Sequence, residues 1–401
     1  MTESEREDKY KYLAKLQRDI MACIACGDCR EATDYSMDPP RWGVCVAREH
    51  TTGFEPFFGR GKMQIIRSIW EDKLPLSKDL AEVIYQCPTC NACSEICAYD
   101  FDNVKVYEAL RAELVEAGCG LEAHEPMNKA MVELLNPYQR DNKQKSDWIH
   151  QLDFKIKNAY EEPAEVLYFV GCTAALTPDI QNVAINTAKV LKKLDIDFSV
   201  FGEHEVCCGS VAMRTGDRKA FDNVAQKNLA LFKRSGAKII ITSCAGCYRT
   251  LKKDYAEYLK DSGIEVQHTV EFLSNLMKEK DIKLKNLEML TTFHDPCHTG
   301  RHMGFYEEPR EILSKMATLN EMKTIKGSAK CCGAGGGLKK GFPELALEVA
   351  KSRVQEAEET GADYLVSICP FCYRNLSDAI KDLNSEIKMI DLLELIYQAL
   401  E

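Results

Sequence analysis

The chain has 401 residues, 28% of them charged, and a formal net charge of −10. That length supports two or three domains with cores of their own, and the acidic balance excludes a general nucleic-acid surface. No apolar run approaches the roughly 18 residues of a membrane helix, and the polar start MTESEREDKYKY is unlike a signal peptide. The expected place is therefore the cytoplasm, at a membrane only through a partner. Nineteen cysteines in such a compartment point to metal rather than to a disulfide framework.

Residues 5 to 22 carry Leu13, Leu16 and Ile20 on one face and predict a short helix. It leads to Cys23-x2-Cys26-x2-Cys29. After a further 57 residues comes Cys87-x2-Cys90-x2-Cys93-x3-Cys97. The second run has the bacterial ferredoxin spacing, in which the fourth cysteine serves the other cluster, with Ala98 where proline is usual. The first run lacks a cysteine three residues past Cys29, and the nearest candidate is Cys45. We expect one 4Fe–4S cubane on Cys23, Cys26, Cys29 and Cys97, and a second on Cys87, Cys90, Cys93 and Cys45. Zinc knuckles are the rival, poorly matched by three evenly spaced cysteines.

Between the two runs, Asp38-Pro39-Pro40, Gly53 and Gly59-Arg60-Gly61 predict an inserted loop, then a helix near 61–72. The Gly-Arg-Gly stretch resembles one in iron–sulfur subunits of the glycolate oxidase and glycerol-3-phosphate dehydrogenase type. A helix is expected from about 102 to 118 (Val104, Tyr107, Leu110, Leu114). Cys119, outside every cluster pattern, reads as a small apolar filler. Residues 136–164 are polar and proline-marked and form the best linker.

Beyond the linker the chain repeats itself. Cys172, Cys207-Cys208 and Cys244-x2-Cys247 recur 124 or 125 residues later as Cys297, Cys331-Cys332 and Cys369-x2-Cys372. A repeat of this kind is a repeat of metal-ligand geometry. Each adjacent pair is followed by a glycine, Gly209 or Gly333, which lets the backbone turn sharply beside an inorganic core. Five thiolates exceed the four that hold a cubane or a zinc ion, so one sulfur bridges two metals or one cysteine is idle.

Strands are expected at 165–170, 197–201, 238–242 and 264–268, then at 288–293, 321–325, 364–368 and 387–390. Helices are expected near 179–194, 217–235, 247–260 and 270–279, then near 306–317, 343–360, 372–383 and 391–400. This alternation predicts small parallel or mixed α/β sheets. Leading and trailing cysteines then sit at carboxyl ends of strands, with the C-x2-C pairs opening helices whose N–H groups favour thiolate. The fold class is thus α/β. A helical ferredoxin-type domain spans 1–135 and a linker 136–164, followed by tandem α/β repeats at 165–285 and 286–401.

The double pentad, with His294-Asp295-Pro296-Cys297-His298 and Cys331-Cys332-Gly333-Ala334-Gly335-Gly336, resembles the cysteine-rich CCG domain of the heterodisulfide reductase family. A ferredoxin-type segment ahead of two such domains is similar to the catalytic, D-type members of that family. The resemblance implies two noncubane 4Fe–4S clusters, each with one bridging cysteine. One would rest on Cys172, Cys207, Cys208, Cys244 and Cys247, the other on Cys297, Cys331, Cys332, Cys369 and Cys372. It also implies an oxidoreductase, working within a complex and acting on sulfur groups in anaerobic metabolism such as methanogenesis. The substrate would be the coenzyme M–coenzyme B heterodisulfide or a similar disulfide, with two cubanes as the electron wire.

Other residues have plainer alternatives. His294, His298 and His302 crowd Cys297 and suit proton delivery to product thiolates, or simple packing around a cluster. Arg214 and Arg301 suit an anionic substrate or ordinary salt links. Gly335-Gly336-Gly337-Leu338-Lys339-Lys340 lacks the phosphate-loop pattern; close backbone approach to a cluster explains the glycines, with Lys339 and Lys340 solvated. Tyr248, Phe371 and Tyr373 read as core. No flavin or nicotinamide fingerprint is present, so electrons come from another protein: a membrane cytochrome b, a flavoprotein, or a formate- or hydrogen-oxidising unit. The rival functions are an electron-transfer subunit of the lactate or glycolate oxidase or benzoyl-coenzyme A reductase type, and a zinc-bearing structural scaffold.

Overall fold

The computed structural model describes residues 3–31 and 45–400, so Asp38-Pro39-Pro40 lies outside the described residues. The chain divides into two compact units. One comprises Met1–Pro126, Val211–Arg218 and Thr324–Arg353, and the other Met127–Ser210, Lys219–Lys323 and Val354–Glu401.

The first unit is helical around one apolar core that includes Leu13, Ile20, Ile66, Trp70, Ile84 and Leu110. The helix expected over 5–22 is instead three short ones, Glu3–Lys9, Lys11–Ala14 and Gln17–Ala22. Tyr10 and Leu16 leave helical angles at the breaks. The cause is tertiary: the Glu113 carboxylate accepts hydrogen bonds from the Tyr12 and Leu13 N–H groups at 2.6 and 3.0 Å, which satisfies donors that a continuous helix would have used. Helix Asn103–Glu116 starts at Asp102, whose side chain accepts from the Lys105 N–H. It runs through the centre of the unit, with Glu108, Arg111 and Glu113 among its buried residues.

The second unit contains the strands of both repeats. Strands β1 (Lys157–Asn158), β2 (Val166–Tyr168), β3 (Phe198–Val200), β4 (Ile239–Thr242) and β5 (Glu265–His268) form a sheet in the order β1-β3-β2-β4-β5. Strands β6 (Leu290–Phe293), β7 (Thr318–Leu319), β8 (Tyr364–Ser367) and β9 (Lys388–Asp391) follow the order β7-β6-β8-β9. Every pairing within these sheets is parallel. Residues 136–164 contribute β1 and the 3-10 helix Asn142–Gln151, where Trp148 is fully buried. The strand expected over 321–325 falls at Thr318–Leu319. Side chains bind the later segment instead: Arg310 holds Glu321 at 2.6 Å, and Arg353 holds the Thr324 carbonyl at 3.0 Å.

The repeats share a core through reciprocal packing. Helix Gln181–Lys193 of the first lies on the last helix of the second, Leu392–Ala399, while Thr269–Glu279 lies on Glu307–Leu313. Such exchange of equivalent surfaces is the signature of two-fold symmetry. It brings equivalent residues of the two copies together near the axis.

Candidate iron–sulfur site

Two cavities in the first unit gather the eight N-terminal cysteines. Cys23, Cys26, Cys29 and Cys97 line one. Cys45, Cys87, Cys90 and Cys93 line the other. The loops that present them share one conformation. Ala25 and Thr89, before the second cysteine of each run, have φ of 57° and 53°, and Gly27 and Asn91, after it, have φ of 97° and 68°. Left-handed residues on both sides curl each loop so that its sulfurs converge, and a β-branched threonine tolerates this only under external constraint.

Helix Gly59–Trp70 serves both cavities. Gly59 and Lys62, three apart and so on one face, line the second cavity, whereas Arg60 and Met63 line the first. A Cβ on Gly59 would come within 2.7 Å of the Cys29 sulfur, and one on Gly61 would overlap the Glu55 backbone. The Gly-x-Gly spacing therefore answers two specific approaches. Fully buried Lys62 donates to the Pro56 carbonyl at 2.9 Å. Burial pushes its ammonium down, and the neighbouring sulfurs of Cys87, Cys45 and Cys93 pull it up. Tyr107 completes this wall, its hydroxyl 3.8 Å from the Cys93 sulfur.

The thiols of Cys29, Cys45 and Cys93 resist ionisation. Burial first, then Cys23 and Cys45, push Cys29 up to about 12. Burial pushes Cys45 up to about 11 against the pull of Lys62. Crowded buried thiols of this kind become thiolates when a cation core compensates them. A four-cysteine donor set around each cavity fits an iron–sulfur cluster.

In the second unit, Cys172 follows β2 and Cys244 follows the adjacent β4, both at carboxyl ends. Gly171 (φ 80°) precedes Cys172, and a Cβ there would lie 3.1 Å from the Cys247 sulfur. All five cysteines of the first pentad are buried. Their sulfurs form a chain of contacts: Cys172 with Cys207, Cys207 with Cys208, Cys208 with Cys247, and Cys247 with Cys244. Hydrogen bonds from Cys207 and Cys247 hold Cys208 below the ordinary thiol range, and the contacts with Cys208 and Cys244 push Cys247 well above it. The chain continues to the other repeat, because Cys244 also contacts Cys369.

The glycine after each cysteine pair has a definite task. Gly209 and Gly333 have φ of 83° and 79°, and each N–H points back to the first sulfur of its pair, 3.5 Å from Cys207 and 3.4 Å from Cys331. A Cβ on Gly209 would strike Phe221 and Val224, and one on Gly333 the Ala346 carbonyl and Val349. In the first repeat, the π turn at Thr250–Asp254 interrupts the helix expected over 247–260. It sets the Tyr255 hydroxyl 3.0 Å from the Cys208 carbonyl, while Asn228 donates to the Cys207 carbonyl at 2.8 Å.

The second pentad is divided between the units: Cys331 and Cys332 belong to the first, and Cys297, Cys369 and Cys372 to the second. Cys369 caps helix Pro370–Leu383, so this C-x2-C pair opens a helix as its counterpart Cys244 does. A ring nitrogen of His294 lies within 4.8 Å of the Cys372 sulfur. His298 reaches the other repeat, its Nδ1 3.7 Å from where a Cβ on Gly246 would stand, and His302 meets its ring edge-on at 4.7 Å.

Several expectations take a different physical form. Arg214 is buried in an ion pair with Glu108 at 3.0 Å. Gly336 makes its close approach to the Cys87–Pro88 backbone, and Gly337 to His124. Fully buried Arg111 binds the carbonyls of Cys87 and Gly336 at 2.7 Å each and that of Arg214 at 2.9 Å. It ties a cysteine loop to the segments that follow both cysteine pairs. Tyr248 is core, whereas Phe371 and Tyr373 are half-buried. Nothing in the sequence marked Arg111, Tyr255 or Asn228, and Lys62 had only its place beside the Gly-Arg-Gly stretch to signal it.

Comparison with known proteins agrees with this architecture. A cysteine-rich CCG domain matches residues 166–252 and again 291–377. The chain is 36% identical over 393 residues to the D-type subunit of the dihydromethanophenazine:CoB–CoM heterodisulfide reductase of Methanosarcina mazei, covering 95% of this chain and 94% of that one. It is 31% identical to an uncharacterized iron–sulfur protein of Methanocaldococcus jannaschii, over 96% of this chain and 74% of that one. It is also 31% identical to the B-type subunit of the CoM/CoB fumarate reductase of Methanothermobacter marburgensis, over 95% of this chain and 73% of that one.

Proposed function

The chain belongs to the family of the D-type heterodisulfide reductase subunits, and on that premise we propose that it is the component of a redox complex that reduces a small disulfide. The substrate is the coenzyme M–coenzyme B heterodisulfide or one like it. In this reading Cys23, Cys26, Cys29 and Cys97 hold one cubane and Cys45, Cys87, Cys90 and Cys93 another. Each pentad holds one noncubane cluster. When bound, these clusters supply one-electron storage and iron sites with affinity for thiolate sulfur.

The observation that carries the reading is the contact between Cys244 and Cys369, equivalent residues of two complete pentads that meet across the repeat axis. Reducing a disulfide takes two electrons and two protons and leaves two thiols. Two matched sulfur nests suit a substrate that separates into two matched halves. The remaining work falls to the protein. Gly209 and Gly333 turn each cysteine pair, and their N–H groups point at sulfur. Asn228 and Tyr255 fix the Cys207 and Cys208 carbonyls. His298, beside the Cys244–Cys247 turn, carries a proton to a departing thiolate.

No helix among the described residues is long and apolar enough to cross a membrane. The electron donor is a separate protein: a membrane cytochrome b, a flavoprotein, or a formate- or hydrogen-oxidising unit. The test is viologen-coupled turnover of the CoM–CoB disulfide by anaerobically purified protein carrying its full complement of about 16 iron. Cys208→Ser and Cys332→Ser should each lower turnover at least 100-fold and leave the cubane spectra unchanged. Full turnover in both variants excludes the reading. A fully loaded wild type without disulfide turnover reassigns the chain as an electron relay, and a zinc-filled, iron-poor protein as a scaffold.

A further inference from the structure

The two N-terminal cysteine cavities differ in the charge built against them. Helix Gly59–Trp70 places Arg60 at one and Lys62 at the other. The Arg60 guanidinium is paired with the Glu55 carboxylate, and its side chain is 26% exposed, so solvent and a counter-ion both attenuate its charge. Lys62 is 1% exposed. Its ammonium donates to a neutral carbonyl, that of Pro56 at 2.9 Å, and the anionic groups that act on it are the sulfurs of the cavity.

Holding a lysine there takes deliberate construction. Gly61 lets the helix approach the Glu55–Pro56 backbone closely enough for the Pro56 carbonyl to receive the ammonium. A cation in a low-dielectric wall acts on a neighbouring charge far more strongly than a solvated one.

We propose that Lys62 is a positioning residue that raises the reduction potential of the cluster held by Cys45, Cys87, Cys90 and Cys93 above that of the cluster held by Cys23, Cys26, Cys29 and Cys97. Each electron accepted adds one negative charge to the cluster, and the fixed positive charge beside it stabilises the reduced form. At the other cavity the partly exposed, paired Arg60 gives a much weaker field. The asymmetry gives the pair a direction: an electron entering at the Cys23 side runs downhill to the Cys45 side, whose Cys87 carbonyl Arg111 ties to Gly336. The inference rests on the cubane assignments of the proposed function and is independent of the substrate.

The experiment is an EPR-monitored reductive titration with dithionite of the wild-type holoprotein and of Lys62→Met, Lys62→Gln and Lys62→Arg, without disulfide. Cys45→Ser assigns the signal. Both neutral variants should disfavour reduction of that one cluster by tenfold or more, ~59 mV for a one-electron couple, with the other cluster within twofold of wild type. Lys62→Arg should restore the wild-type value. A shift common to both clusters overturns the proposal, as does no shift in either neutral variant or an equal shift in Lys62→Arg. Loss of iron from both neutral variants also overturns it, since Lys62 would then serve cluster retention. Failure of disulfide turnover with the potentials ordered as stated would reject the proposed substrate and leave this inference standing.

Discussion

The two repeats carry the same five cysteines and support them differently. In the first, the buried Glu205 carboxylate accepts hydrogen bonds from the Val170 and Gly171 N–H groups at 2.8 and 2.9 Å and holds the turn into Cys172. Ala329 occupies the matching place in the second repeat. There the approach to Cys297 is held by Arg310, which grips both oxygens of Asp295 at 2.7 and 2.8 Å and reaches Glu321. One copy satisfies backbone donors with a carboxylate, and the other clamps side chain to side chain. The cysteine positions and the glycine after the pair are shared because the sulfur geometry requires them. The shell behind them is free to differ because many polar arrangements satisfy the same turn.

Breaking the shell of the first repeat should have the largest effect. Glu205→Ala leaves two buried N–H groups without their acceptor and removes the counter-charge of buried Lys145. We expect a loss of about 3–5 kcal/mol in denaturant unfolding. Arg310→Lys, which keeps the charge but loses the bidentate grip, should cost about 1–2 kcal/mol. Equal losses would mean that the two shells are equivalent after all.

The glycines sharpen the comparison. Gly209→Ala and Gly333→Ala should each destabilise by about 1–3 kcal/mol through backbone strain. Gly333→Ala should be the worse, because its new Cβ meets the Ala346 carbonyl at 2.8 Å, whereas Gly209 faces side-chain carbons that can shift. Thermal midpoints of the loaded proteins would decide, and the reverse order would show that the Phe221–Val224 wall is the stiffer one.

A pH-dependent difference lies at the residues that cap the last helix of each repeat, His268 and Asp391. His268 accepts from the Val270 N–H through Nδ1 and donates through Nε2 to the Ile368 carbonyl, which defines its neutral tautomer. Burial lowers it from 6.5 to about 4, so the stability it contributes is full above 6.5 and is lost as pH falls toward 4. Burial raises Asp391 from 3.8 to about 8, so its contribution is full below 3.8 and is lost as pH rises toward 8. The two copies thus titrate in opposite directions. Between pH 6 and 7 the Asp391 penalty grows by about 1.4 kcal/mol per pH unit. Asp391→Asn, which keeps the cap, should remove that slope in a pH series of unfolding midpoints, and an unchanged slope would place the titration elsewhere.

Much of the fold was legible because its signals are local. Apolar strands ending in cysteine, Gly209 and Gly333 after each pair, and a recurrence of 124 or 125 residues are readable one residue at a time. β1 and β7 were not, being two-residue strands without a periodic pattern to detect. The breaks at Tyr10 and Leu16 escaped because the Glu113 carboxylate that accompanies the first is a hundred residues away.

By itself the sequence determined which sulfurs form candidate ligand sets and how many repeats carry them, since cysteine spacing writes metal chemistry directly into the chain. Tertiary structure alone decided that Cys244 meets Cys369, and that Lys62, Arg111 and Glu205 are buried beside cysteine loops. The reason is physical. A charged residue looks the same in sequence whether it ends in water or in a dry wall, and only packing tells the two apart.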